Sequence, residues 1–286
     1  MNEWQAREQT HLERVEALIG AHQRRRARHE IHPVHDFLFD YYSIRPGRLR
    51  QWHAGIGVVL QDPDTERFLQ RKGYQRTKDG VAALPGPDAP GRLEAVRWIR
   101  SLLQTCASRP PQYACFGLHE WAMVYRSPDR RHATVPLRLS EDEIARVVET
   151  GPICCSHFDA FRFFTPEARP LNRIQPGPED RLTHEQRGCL HVNMDLFKWT
   201  GKLLPWSSSE LLMDSLELAF RIRETDMRAS PYDLSQYGYE PIRIETPKGR
   251  QAYEAHQRTF AEQAAPLRQR LIEVCDAVLN ERGQAL

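Results

Sequence analysis

Histidine and carboxylate side chains stand next to each other in several apolar stretches of this sequence. Two of these stretches are the His119-Glu120 pair and the His157-Phe158-Asp159 segment, both surrounded by aliphatic and aromatic residues. Imidazole and carboxylate groups perform acid–base chemistry, and burying a carboxylate costs several kcal/mol unless the group is paired or protonated. Ionisable groups in apolar surroundings therefore predict a functional site. The catalytic candidates are Glu120, Asp159, His119 and His157.

A narrow polar stripe marks the helix predicted over residues 189–204. His191, Asp195 and Lys198 recur there at positions i, i+4 and i+7, with apolar residues on both shoulders. Such a stripe is typical of a helix that lines a cleft, although a surface helix with an Asp195–Lys198 pair gives the same pattern. We expect this stripe, the His119-Glu120 pair and the His157 segment to converge on one cavity.

A further histidine–carboxylate group, His32-Pro33-Val34-His35-Asp36, opens an amphipathic helix. At ~100° per residue, His32 and Asp36 share the face opposite the apolar stripe, and that face either is solvated or lines a cleft. Imidazole and carboxylate ligands suit iron, manganese or zinc, and a site of two histidines and one carboxylate is open to this chain. The candidate metal ligands are His32, His35, Asp36, His119, Glu120, His157 and Asp159.

The elements that must position these residues are mainly helical. Apolar residues at helical spacing predict helices over about residues 3–30, 34–42, 93–106, 112–126, 141–149, 189–204, 208–227 and 246–280, the last interrupted at Pro266. Capping boxes are predicted at Ser140-x-x-Glu143, Thr183-x-x-Gln186 and Ser207-x-x-Glu210.

Strand signals are few. Residues 56–60 and 135–139 predict short strands, the second at a sheet edge because it contains a proline. Glycines and prolines between residues 73 and 91 predict turns or a small β elaboration. The predicted fold class is therefore mainly α: a basic N-terminal helix or arm (1–31), followed by a single globular multi-helix domain with minor β elements (32–286).

Composition excludes several classes of protein. The 286 residues are 40% hydrophobic and 27% charged, with 40 Lys and Arg against 38 Asp and Glu. This near balance excludes bulk coating of nucleic acid but leaves local basic patches such as Arg24–Arg28 open. There is no bilayer-spanning apolar run or secretory signal, so we expect a cytoplasmic protein with no membrane partner. Six cysteines without a CxxC pair predict reduced thiols, mostly buried as small hydrophobic side chains.

Five segments resemble a bacterial family commonly labelled 3-methyladenine DNA glycosylase. They read HPVHDFLF-YY, FGLHEWAMVYR, CSHFDAFRFFTP, GCLH-x-x-MDL-x-KW and RE-x-DMRASPYDL, and the resemblance extends from His32 to the last helix. It implies excision of alkylated purines from damaged duplex DNA without a required cofactor. The segment Leu84–Gly91 departs from the helix-hairpin-helix of DNA glycosylases, because Asp88 and Pro90 replace a glycine and a helix former, and it predicts a turn.

Base excision needs a flipped base, a carboxylate near the sugar and cations near the phosphates. Glu120 or Asp159 would be the carboxylate, and the basic run Arg24–Arg28 would meet phosphate. The candidate substrate-binding residues are Tyr42, Trp121, Phe158, Phe161, Arg162, His191, Asp195 and Lys198. Two alternatives stay open: a metal-dependent enzyme that acts on a small molecule, with a transition metal as its cofactor, and a non-catalytic binding or interaction protein whose polar clusters are structural.

Overall fold

Four helices that pack against one another form the frame of the protein. In the computed structural model, which describes residues 2–42, 44–84, 90–129 and 132–280, α9 packs against α10 and α11, and α11 also packs along α4. The helices are α1 (Glu3–Ala27), α2 (Phe37–Tyr42), α3 (Pro46–Leu49), α4 (Pro90–Ser108), α5 (Leu118–Ala122), α6 (Glu141–Thr150), α7 (Phe158–Phe161), α8 (Arg181–His184), α9 (Leu190–Lys202), α10 (Ser209–Arg228) and α11 (Pro247–Asn280). The predicted mainly α fold is confirmed. No described helix is both long and apolar enough to cross a bilayer.

A small antiparallel sheet accounts for the minor β structure. Its order is β1 (Val59–Leu60), β3 (Gly80–Ala83) and β2 (Tyr74–Thr77). Gly80 has φ +147°, and a Cβ on it would lie 2.1 Å from the Leu60 carbonyl oxygen, so only glycine allows β1 and β3 to pair here. The β elaboration predicted between residues 73 and 91 is present, whereas the strand predicted over 56–60 is limited to two residues.

Three predicted elements differ in the structure. The helix predicted over 112–126 is reduced to α5, because Phe116 and Gly117 take positive φ values of +48° and +74° and break the helical path. The edge strand predicted over 135–139 is a single bridge between Leu137 and Tyr232. Helix α11 continues through Pro266, since its two halves both bury apolar side chains against the core and this packing outweighs the lost hydrogen bond.

Only one of the predicted capping boxes is formed as expected. Ser140 and Glu143 cap α6 reciprocally. Thr183 instead lies inside α8. Ser208, one residue later than predicted, caps α10 by accepting from the Leu211 amide, because the Ser207 hydroxyl donates to the Thr200 carbonyl 2.8 Å away.

Helix α1 packs on the domain and is not a free arm. Val15 and Ile19 are fully buried, and Arg14 pairs with Asp214 and Glu217 on α10 at 2.9 and 2.8 Å. Helix α1 is therefore held to α10 by ion pairs as well as by apolar packing. Residues 85–89 of the predicted turn lie outside the described part of the chain.

Candidate functional site

Three histidines from three separate segments meet in the interior. His119 belongs to α5, His157 precedes α7, and His191 lies in the first turn of α9. The His191 ring centroid is 4.5 Å from that of His119 and 5.3 Å from that of His157. All three side chains are buried, and the three segments meet as expected, although they flank two small cavities and not the single cavity predicted.

On one side of this centre, His119 forms an ion pair with a residue of α10. Its Nε2 atom lies 3.0 Å from Oδ1 of Asp226, which also accepts a hydrogen bond of 3.1 Å from the Tyr253 hydroxyl. Burial opposes the charged form of Asp226, but the His119 charge and hydrogen bond outweigh it and hold the pKa of this carboxyl well below its usual range. Burial likewise opposes the His119 charge, yet Asp226 and Cys115 raise the pKa of His119 well above its usual value.

The other ring nitrogen of His119 faces a thiol. Nδ1 lies 3.3 Å from Sγ of Cys115, a half-buried residue next to the strained Phe116–Gly117 turn. The neighbouring Cys155 thiol, together with His119, outweighs burial and places the pKa of Cys115 well below that of an ordinary thiol. Cys115, His119 and Asp226 thus form a continuous chain of contacts, which we call the Cys115–His119–Asp226 chain.

Glu120 is paired, not free. Arg223 Nη1 donates a 2.6 Å hydrogen bond to Glu120 Oε1 and lies 3.5 Å from Asp226 Oδ2. Both Glu120 and Arg223 are buried. Arg223 thereby neutralises the carboxylate that sequence reasoning placed first among the catalytic candidates.

A second ionic cluster surrounds His157. Its Nε2 atom lies 3.3 Å from Asp195 Oδ2, to which Arg181 donates at 2.9 Å. Arg181 also donates to Glu185 at 2.6 Å. Burial opposes the charge of Asp195, but His157 and Lys198 outweigh it and lower the pKa of this carboxyl well below its usual range.

Asp159 belongs to the same cluster. Lys198 Nζ lies 3.2 Å from its Oδ2 atom and Arg181 Nη2 lies 3.3 Å from it. The predicted Asp195–Lys198 pair is longer, at 3.5 Å. Arg162 Nε lies 3.7 Å from the other Asp159 oxygen, Oδ1, so Asp159 is compensated by three cations.

Two small cavities flank the three histidines, and His191 lines both. The thiol cavity, of about 20 Å³, is lined chiefly by Cys115, Cys154, Cys155, Cys189, Tyr253 and Gln257. The aromatic cavity, of about 10 Å³, is lined chiefly by Phe37, Tyr41, Glu120, Met123, Phe163 and Arg223. One water needs ~10–15 Å³, so neither cavity holds more than about one water-sized molecule in this conformation.

Several buried polar atoms at this centre have no hydrogen-bond partner among the described residues. These atoms are the Tyr42 hydroxyl, His157 Nδ1, Asp195 Oδ1, Arg223 Nε and Gln257 Oε1. Buried polar groups in native proteins nearly always have partners, so these atoms are available to a ligand. Burial keeps the pKa of His191, which lines both cavities, well below the usual histidine value.

The described residues contain two groups with metal-ligand spacing, each with its ligand atoms within 4.8 Å of one another. The first is His119, His191 and Asp226, and the second is His157, Asp159 and Asp195. Arg181 and Lys198 already bind the carboxylates of the second group, which leaves the first as the better metal site.

Other predicted metal ligands lie elsewhere. His32 and His35 stack on each other at 4.3 Å, and Asp36 binds His22 at 2.7 Å and Arg25 at 3.0 Å. They belong to no three-ligand group among the described residues.

The predicted aromatic substrate-binding residues, and Arg162 with them, do not line either cavity. Trp121 is fully buried and donates to the Ala229 carbonyl at 2.8 Å, and Phe161 packs on Phe164. Tyr42 packs against Phe197, while Arg162 is exposed and stacks over Phe163. Phe158 also lines neither cavity.

The basic run of α1 faces acids. Arg25 pairs with Asp36 at 3.0 Å, and Arg24 and Arg26 lie 3.6 Å from Glu16 and Asp40. This arrangement reduces the charge that the run presents to a phosphate.

Sequence reasoning missed several members of the site, among them Cys115, Glu185, Arg181, Arg223 and Asp226. Three of these carried a signal, since Cys115 directly precedes the FGLHEW segment and both Arg223 and Asp226 lie inside the RE-x-DMRASPYDL segment. Comparison with protein-family models, curated proteins and solved structures gives no match to this chain. The function therefore has to be inferred from the geometry of the site.

Proposed function

We propose that this protein is an enzyme that uses Cys115 as a covalent nucleophile. The observation that carries the proposal is the Cys115–His119–Asp226 chain, with 3.3 Å between Cys115 Sγ and His119 Nδ1 and 3.0 Å between His119 Nε2 and Asp226 Oδ1. A nucleophile in contact with a base, which a third group orients, is the arrangement that activates a thiol. The reaction class is hydrolysis or group transfer at an electrophilic carbon.

Each member of the chain has one role. The Cys115 thiolate attacks the electrophilic carbon, and the protonated His119 gives its proton to the leaving group. A water molecule or a second acceptor then takes the group from sulfur while His119 removes its proton. Asp226 stays ionised throughout, because it holds the imidazole in orientation and compensates its charge.

The surroundings of Cys115 support a binding role for the thiol cavity. Gln257 is buried, and its Oε1 atom offers an unpartnered acceptor at this cavity, which suits an N–H or O–H group of a substrate. The thiol cavity holds only a water-sized molecule in this conformation, so a substrate enters only if the lining segments move apart.

Alkylation with iodoacetamide tests the proposal without knowledge of the substrate. We expect Cys115 to react at pH 6 faster than Cys154, which is also half-buried but whose pKa burial raises. Replacing His119 by Gln removes the ion pair and should slow Cys115 alkylation at pH 6 on the order of 10²-fold, because an ordinary thiol is mostly protonated there. Peptide mass spectrometry assigns the modified residue. Equal reactivity of Cys115 and Cys154 would refute the nucleophile.

A metal-dependent enzyme is the second candidate. The observation that favours it is the His119, His191 and Asp226 group, the two-histidine, one-carboxylate set that binds iron in many enzymes. Cys115 and Tyr253 would then hold the ligands in orientation through their contacts with His119 and Asp226. The two candidates exclude each other, since a metal would occupy His119 Nε2.

Elemental analysis separates these two candidates. A stoichiometric transition metal that is lost in His191→Ala and kept in Cys115→Ser would favour the metal enzyme. A metal-free protein with a reactive Cys115 would favour the nucleophile. A metal-free protein with an unreactive Cys115 would favour the non-catalytic alternative, in which the polar clusters are structural.

The glycosylase activity remains a prediction from the resemblance, and the site geometry does not add to it. Both carboxylates that it needs, Glu120 and Asp159, are paired with cations. The cavity between them has about 10 Å³, far less than a nucleobase requires. Binding of the protein to duplex DNA at low salt is the direct test of this activity.

A further inference from the structure

A groove of about 360 Å³ lies beside the C-terminal end of α10. Its volume falls within the roughly 300–1,000 Å³ that is usual for small-molecule sites, whereas the thiol and aromatic cavities hold about one water each. None of its described lining residues lines either of those cavities. The groove, which we call the arginine groove, is lined chiefly by Arg138, Arg228, Tyr232, Leu234, Arg243 and Glu245.

Backbone hydrogen bonds hold the walls of the arginine groove together. The Asp233 amide donates to the Pro136 carbonyl at 2.7 Å, which ties the segment after α10 to the segment before α6. The Ile242 amide donates to the Arg228 carbonyl at 2.8 Å, which ties the segment before α11 back to the end of α10. A site whose walls are already fixed loses little conformational entropy when a ligand binds.

The carboxylates of the lining already have donors. Arg138 Nη1 and Nη2 donate to the two oxygens of Glu245 at 2.6 and 2.8 Å, and both side chains are half-buried. A bidentate pair of this kind fixes the orientation of both partners. Asp233 Oδ1 accepts from the Ser235 amide at 2.9 Å. Neither carboxylate therefore needs a cationic ligand.

Two further arginines give the groove its positive charge. Arg228 Nε donates to the Glu240 carbonyl at 2.9 Å, and its Nη1 atom lies 3.5 Å from Glu224, one turn back on α10. Arg243 is exposed and takes part in no ion pair with a described residue. Guanidinium N–H groups form bidentate hydrogen bonds with carboxylates and phosphates. An oxyanion in the groove therefore meets donors from two separate segments of the chain.

The rest of the lining is largely apolar. Leu139, Leu234 and Pro241 contribute aliphatic surface, and Tyr232 and Tyr239 contribute aromatic rings. Apolar surface of this kind favours the hydrocarbon or aromatic part of a ligand, because its burial removes that part from water. The lining thus suits an anion that carries an organic group better than an inorganic ion.

We propose that the arginine groove binds a small organic molecule that carries a phosphate or carboxylate group. Arg243 and Arg228 bind the oxyanion, and the apolar side chains cover the organic part. The groove shares no described lining residue with the thiol cavity, so this proposal is independent of the function proposed for Cys115.

Isothermal titration calorimetry of the full chain tests the proposal, with phenyl phosphate and benzoate as probes. We expect saturable binding of at least one probe, and the probe that binds more tightly identifies the preferred oxyanion. Inorganic phosphate should bind on the order of tenfold more weakly than phenyl phosphate, because it buries no apolar surface. Phenol, which has the ring but is neutral at pH 7, should not bind.

Arg243→Gln tests the residue that carries the charge. We expect it to weaken binding of the preferred probe by about tenfold or more, because a charge-assisted hydrogen bond is lost. The matched control is Arg221→Gln, which changes an exposed arginine of α10 that does not line the groove and should leave binding unchanged. Both positions are exposed, so both variants should melt like the native chain.

A second readout needs no variant. Phenylglyoxal modifies arginines, and the bound probe should protect Arg243 but not Arg221 in the native chain, as peptide mass spectrometry can show. The proposal is overturned if neither probe binds, if binding survives Arg243→Gln, or if Arg221→Gln weakens it equally, since the last result would mean non-specific attraction to surface charge.

Discussion

The Glu120–Arg223 pair allows a sharp test of what the buried carboxylate does. The side chain of Glu120 is 8% exposed and that of Arg223 is 1% exposed, and the Nη1–Oε1 distance is 2.6 Å. The Arg223 guanidinium also stacks over the Phe37 ring at 3.9 Å. Glu120→Gln keeps the shape of the side chain and removes its charge.

The expected loss of stability follows from the charge left behind. Removing one partner of a buried ion pair costs about 3–5 kcal/mol, because the other charge stays buried without compensation. Asp226 at 3.5 Å remains as a weaker partner for Arg223, which favours the lower end of that range. At about 2–4 °C per kcal/mol for a domain of this size, the melting temperature should fall by roughly 6–20 °C.

Thermal and urea unfolding measure the effect, with Glu262→Gln as the matched control. Glu262 is an exposed residue of α11, and its substitution should change stability by less than about 0.5 kcal/mol. The double variant Glu120→Gln/Arg223→Met should recover part of the loss, because neither charge is then stranded. A Glu120→Gln protein that melts like the native one but loses Cys115 reactivity would refute the structural role and make Glu120 part of the chemistry.

Three further predictions address the site, the pH dependence of stability and DNA. Asp226→Asn should slow alkylation of Cys115 at pH 6 by at least about tenfold, because His119 loses the carboxylate that stabilises its charge; unchanged kinetics would remove Asp226 from the chain. Burial, followed by the charge of Arg71, lowers the pKa of His53 to about 4. As the pH falls, His53 is therefore protonated at a higher pH in the unfolded chain than in the folded chain. Stability should therefore be complete above pH 6.5 and decrease towards pH 4, by up to about 3 kcal/mol for this group, and urea midpoints of His53→Phe should vary less over that range. If the protein binds duplex DNA at low salt, replacing Arg24–Arg26 by alanine should weaken binding and flatten its salt dependence in an electrophoretic mobility assay, whereas absence of binding by the native chain would contradict the resemblance-based activity.

The helices and the place of the site could be predicted from sequence because both depend on local pattern. Apolar residues at helical spacing carry the information for α1, α4, α10 and α11 within each segment. Polar residues inside apolar stretches likewise identified His119, His157 and His191 before any partner was known. Local pattern failed where tertiary contacts override it, as at Phe116–Gly117, where the backbone turns against Tyr253, and at Pro266, where packing carries the helix through.

Partners across long separations were decided only by the tertiary structure. Asp226 is 107 residues from His119, and Arg223 is 103 residues from Glu120, so no spacing rule connects them. Single-sequence reasoning left open whether Glu120 is an acid–base group or is paired, because Arg223 is far from it in sequence. It treated the cysteines as mostly buried packing, although His119 is only four residues from Cys115, because the Phe116–Gly117 turn between them is not visible in the helical pattern. The sequence alone determined which side chains are unusual for their surroundings, whereas folding determined which charge each one meets, because electrostatic interactions depend on distance in space.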